Sequence, residues 1–107
     1  MEEQFYTAFI DESVVDLMPQ YLGNRRKEVE LLRKLLEAGD LSQIAALAHR
    51  MIGVGTPYGF HHVTNLAKVI RETALAGDPD TLRELVKEYA HYIANVIVKV
   101  KPNSPSE

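Results

Sequence analysis

Two glycine–aspartate pairs constrain this chain more than any other feature. Gly39-Asp40 and Gly77-Asp78-Pro79 each read as the end of one helix and the start of the next. Glycine carries no Cβ to clash in the left-handed conformation that closes a helix. Asp40 and Asp78 suit the position whose side chain accepts from the free N–H groups of a first turn. Gln43, three residues after Asp40, completes a capping-box-like pair. Pro79 fits the first helical position, where its missing N–H costs nothing. A third break, Gly53 to Gly59, holds three glycines and one proline and reads as a loop.

Between the breaks, apolar residues recur at i, i+3 and i+4. The spacing predicts helices over Glu12–Ala38, Leu41–Ile52, Phe60–Ala76 and Pro79–Val100. Val96-Ile97-Val98 continues the pattern of the last helix, which favours helix over strand there. The expected fold is all-α: an antiparallel, up-down-up-down four-helix bundle. Phe5, Tyr6, Phe9 and Ile10 read as a short N-terminal capping segment over one bundle end. Tyr89, Tyr92, Val96 and Ile97 are expected in the core. The domain is expected over 1–100, with 101–107 as a frayed tail.

Composition narrows the chemistry. The chain has 107 residues, the size of one domain. It has no Cys, which removes disulfides, thiolate nucleophiles and thiolate metal sites. Its net charge of −3, without a basic block, argues against nucleic acid and anionic membranes. No apolar run is long enough to span a bilayer. The acidic start, Met-Glu-Glu-Gln, lacks the basic region of a signal peptide, so the cytoplasm is the expected compartment.

One residue on the second helix stands out. If Ile44, Leu47, Ala48 and Met51 face inward, His49 and Arg50 point outward. Gly53 lies one turn beyond His49 and leaves open ground beside the ring. Imidazole titrates near neutrality, so a neutral, nucleophilic ring nitrogen is available there.

The segment Ala48-His49-Arg50-Met51-Ile52-Gly53, followed by Tyr58-Gly59-Phe60, Val63, Leu66 and Ile70, resembles the histidine-containing phosphotransfer (HPt) domain family. The matching pattern covers about a quarter of the chain, and the length and helix count agree over most of the rest. The resemblance implies an intermediate of two-component signal transduction, with His49 as phosphoacceptor. The implied partners are response-regulator receiver domains and a hybrid sensor kinase. A receiver brings the carboxylate pocket and the divalent metal. No metal, cofactor or ATP site, and hence no enzyme activity of its own, is expected in this chain; a monomer is the default.

The family usually has a lysine three residues after the histidine; here that residue is Ile52. Arg50 and Lys68 are the expected substitutes for its charge. With the turn centred near Tyr58-Gly59, Lys68 falls at about the height of His49 on the facing helix. Gly53, Ile52, Thr56 and Gly59 are assigned to access and docking. Two alternatives stand beside this reading: a degenerate HPt-like module that binds a receiver or kinase without transferring phosphate, and a purely structural bundle. His61 and His62 are adjacent, so they point about 100° apart and do not make a metal site. His91 is assigned no role. Arg25-Arg26-Lys27 reads as a solvated basic face, with the acidic rim of a receiver as its functional alternative.

Overall fold

A computed structural model of the chain describes residues 6–101. The order is strand β1 (Tyr6–Ile10), a 3-10 turn at Glu12–Leu17, helices α1 (Met18–Ala38) and α2 (Leu41–Ile52), a 3-10 turn at Thr56–Tyr58, helices α3 (His61–Leu75) and α4 (Pro79–Asn95), and strand β2 (Val96–Val100). Helix α1 packs on α4 and α2 on α3, with further contacts between α3 and α4 and between α1 and α2. The result is a mostly helical domain with one small parallel sheet.

The helix boundaries have local causes. Gly39 closes α1 at φ 68°. The Asp40 side chain accepts from Gln43 N at 3.2 Å and starts α2. Asp78 accepts from Thr81 N at 3.1 Å and from the Thr81 hydroxyl at 2.6 Å, which starts α4. Those two bonds favour the ionised form and hold the Asp78 carboxyl below its usual value. The core is one cluster in which Leu32, Ile44, Met51, Phe60, Val63, Ile70, Leu82 and Tyr89 are fully buried.

Three elements differ from the sequence reading. The first α-helix begins at Met18 rather than Glu12, and Glu12–Leu17 is a 3-10 turn. The last helix ends at Asn95, and Val96–Val100 is a strand. Val96 is extended, with φ −68° and ψ 134°. The capping segment is likewise a strand, and the two pair in parallel with Tyr6 opposite Val96 and Ile10 opposite Val100. β-Branched residues fit either state, and here the long-range partner decides. Ile97 is therefore exposed rather than in the core, and Val96 is half-buried. Ala8 and Ile10 turn inward, while Thr7 and Phe9 face solvent. Phe5 and residues 102–107 lie outside the described residues, whereas Lys101 N donates to Ile10 O at 2.8 Å.

A buried polar chain ties α1 to α4. Arg25, in the middle of the expected solvated basic cluster, is buried, while Arg26 and Lys27 are exposed. Its guanidinium lies 4.5 Å over the Tyr21 ring, and its Nε sits 2.9 Å from Glu28 Oε1. The Tyr89 hydroxyl donates to the same carboxylate at 2.9 Å. Burial raises the pKa of Glu28, against the opposing pull of Arg25 and Tyr89. Burial likewise raises Tyr89, and pushes Tyr92 up to about 12.

Candidate functional site around His49

Helix α2 carries Ile44, Ala45, Leu47, Ala48 and Met51 inward. That register leaves His49 and Arg50 exposed in its last turns. A cation near a helix C-terminus is favoured by the partial negative charge there. Gly53 caps the helix, and a Cβ placed on it meets only the Arg50 carbonyl oxygen, at 3.5 Å. The surface one turn from His49 is therefore open.

Beside His49 runs a shallow groove of about 430 Å³, lined by Ala45, Ala46, His49, Arg50, Arg71 and Leu75. Arg71 and Leu75 come from α3, the second wall of the groove. Among the described residues, no carboxylate pairs with Arg50 or Arg71. Arg50 also acts electrostatically on Glu28, partly opposing the rise that burial gives its pKa. Leu75 is 63% exposed and supplies an apolar rim. The combination offers an accessible imidazole, two guanidinium groups and a hydrophobic edge, suited to an anionic group presented by another surface.

None of the other expected site residues lines this groove. Lys68 is exposed on α3, three residues before Arg71, and does not line the groove. Ile52 is half-exposed at the end of α2. Thr56 is exposed at the start of the 3-10 turn. Gly59 lies at the far end of that turn at φ 91°, packed against the β1 backbone.

Of two residues that fix the site, Thr64 has no signal in the sequence pattern and Gly55 shows only as one of the three loop glycines. Thr64 is buried on α3, and its hydroxyl oxygen accepts from Thr56 N at 2.8 Å. The same hydroxyl donates to Ile52 O at 3.3 Å, so it joins both ends of the α2–α3 connection. Gly55 sits against it: a Cβ there would overlap Thr64 Oγ1 and come within 2.6 Å of Thr64 N and 2.8 Å of Phe60 O. From the other side, the Tyr21 hydroxyl donates to Val54 O, and the Tyr21 ring stacks on Phe60 at 4.8 Å. The connection after His49 is thus pinned from α1 and from α3.

His62 is half-buried, stacked on Tyr6 with ring centroids 5.1 Å apart, and 3.8 Å from Glu88 Oε2. Among the described residues, no group of three or more His, Asp or Glu is arranged to hold a metal. No helix among them is long and apolar enough to cross a membrane. Compared with family models, curated proteins and solved structures, the chain matches none.

Proposed function

We propose that this chain is a histidine phosphotransfer domain, an HPt-like antiparallel up-down-up-down bundle that relays a phosphoryl group between receiver domains. The observation that carries the reading is the exposed imidazole of His49 on helix α2, in one groove with Arg50 and Arg71. A neutral ring nitrogen of His49 attacks the phosphorus of an aspartyl phosphate. The N–P bond forms as the P–O bond to the carboxylate breaks, and the aspartate leaves as its carboxylate. A second receiver aspartate reverses the step. Such transfer depends chiefly on in-line positioning and charge stabilisation. The receiver contributes the metal and the acidic pocket; this chain contributes the nucleophile, the guanidinium groups and the docking surface.

Arg50 and Arg71 take the charge-stabilising role left open by Ile52. A guanidinium about 4 Å from a phosphoryl oxygen gives on the order of 4 kcal/mol at an effective dielectric of about 20, before solvent screening reduces it. The half-exposed Ile52 also favours a second reading, a module that docks a receiver without carrying phosphate, since it adds apolar contact where a charge is expected. Incubation with a receiver phosphorylated on its aspartate separates the two. Acid-labile, alkali-stable label that disappears in His49→Gln supports transfer. Saturable receiver binding without label selects the second reading, and neither binding nor label defeats both.

A further inference from the structure

Three of the helices stop at a glycine. Gly39 closes α1 at φ 68°, Gly53 caps α2, and Gly77 turns the chain after α3 at φ 73°. Helix α4 has no such residue. It runs Tyr92-Ile93-Ala94-Asn95 straight into Val96-Ile97-Val98, with no glycine, proline or left-handed residue at the junction. The Asn95 side chain donates to His91 O at 2.8 Å, but residues 96–99 of a longer helix would need the carbonyls of 92–95, and those it leaves alone.

The departure from the helix is a single torsion. Val96 N still donates to Tyr92 O, as in an α-helix, and the chain leaves at Val96 with ψ 134°. Beyond it, Val96, Ile97 and Val100 fall three, four and seven residues after Ile93, so they continue the stripe of Leu82, Val86, Tyr89 and Ile93. As a strand the same segment is loosely held: Val96 and Val98 are half-buried, and Ile97, Lys99 and Val100 are exposed. The anchored member of the sheet is β1, whose Ala8 and Ile10 are buried. What ends α4 is therefore pairing with β1, from the other end of the chain, and not a local stop signal.

We infer that Val96–Val100 is a helix–strand switch: a strand while β1 is in place, and a continuation of α4 when β1 is withdrawn. β1 also backs the far end of the connection that follows His49, where a Cβ on Gly59 would lie 2.5 Å from Phe9 O. The end of α4 and the packing of that connection thus depend on one strand.

The pairing parity selects the variants. Lys101 N donates to Ile10 O, so Ile97 and Lys99 turn their backbone groups toward β1 and Val98 turns its own away. On β1, Ala8 faces β2 together with Ile10, so Ala8→Pro removes an N–H from the ladder. The test is NMR of the full chain, reading backbone carbon shifts of residues 96–100, with circular dichroism at 222 nm. The parent should show extended shifts. Ala8→Pro should turn them helical and add about one turn of helix to the ellipticity. Val98→Pro is tolerated on the outer edge of β2 but not inside a helix, so adding it to Ala8→Pro should abolish the gain. Ile97→Ala with Val98→Ala favours helix while leaving β1 intact, and its shifts should move from extended toward helical values. That pair decides alone if Ala8→Pro fails to fold. Random-coil or extended shifts at 96–100 in a folded Ala8→Pro, a gain that survives Val98→Pro, or unchanged extended shifts in the alanine pair overturn the inference.

Discussion

Gly53 and Gly55 stand two residues apart in the same connection, and alanine should act oppositely at them. At Gly55 the new methyl overlaps the Thr64 hydroxyl and crowds two backbone atoms, Thr64 N at 2.6 Å and Phe60 O at 2.8 Å. Backbone on α3 and at its N-terminus does not yield as the end of a flexible side chain does. Overpacking of this kind costs about 1–3 kcal/mol. Displacing the Thr64 hydroxyl also weakens its bonds to Thr56 N and Ile52 O, each worth about 0.5–1.5 kcal/mol. A loss of about 2–4 kcal/mol is expected, or roughly 8–25 °C in melting temperature for a domain near this size. At Gly53, φ is −76° and the methyl meets one carbonyl oxygen at 3.5 Å. Gly53→Ala should then be neutral or stabilise by about 0.4–1 kcal/mol, through the lower entropy of its unfolded chain. Urea and thermal unfolding of both variants check the pair. Equal stability of Gly55→Ala and the parent, or a larger loss in Gly53→Ala, would refute the pinning of this connection.

Glu28→Gln tests the buried chain between α1 and α4. Because burial raises the folded-state pKa of Glu28, the native state holds its proton more tightly than the unfolded state. That contribution lowers stability as pH rises from the unfolded value through the folded one. Glu28→Gln should remove this slope, and unchanged slopes across the acidic range would contradict it. At the helix end, Asp78→Ala should destabilise most at neutral pH, with the difference shrinking as pH falls through the lowered Asp78 pKa. A pH-independent difference would place its effect elsewhere. In phosphotransfer assays, Arg71→Ala should slow transfer about tenfold, equivalent to about 1.4 kcal/mol, and by more than Lys68→Ala, since Arg71 lines the His49 groove. Equal effects of the two would remove Arg71 from the role.

Local pattern was enough for the helical frame. Gly39-Asp40 and Gly77-Asp78 are adjacent residues whose chemistry acts on their own backbone, so the breaks are readable without tertiary information. The inward faces of α2 and α3 follow from apolar spacing in the same way. The parallel strand pair was not readable, because Val96-Ile97-Val98 fits both periods and its partner is at the opposite end of the chain. Arg25 sat within a basic run whose neighbours are solvated; only the fold sets Glu28 and Tyr21 around it. At the site, the outward direction of His49 and Arg50 follows from the α2 register. Which α3 residue shares their groove depends on how the residues between α2 and α3 are folded. Thr64, Gly55 and the 3-10 turn set that height, and none of them has a periodic signature.

Phosphorus-31 NMR of the chain after reaction with an aspartyl-phosphorylated receiver tests the proposed relay most directly. A phosphoramidate signal that is stable in alkali, lost in acid, absent in His49→Gln and discharged by a second, unphosphorylated receiver is the expected result. A phosphorylated receiver that keeps its label in the presence of the chain, or label that persists in His49→Gln, would contradict it.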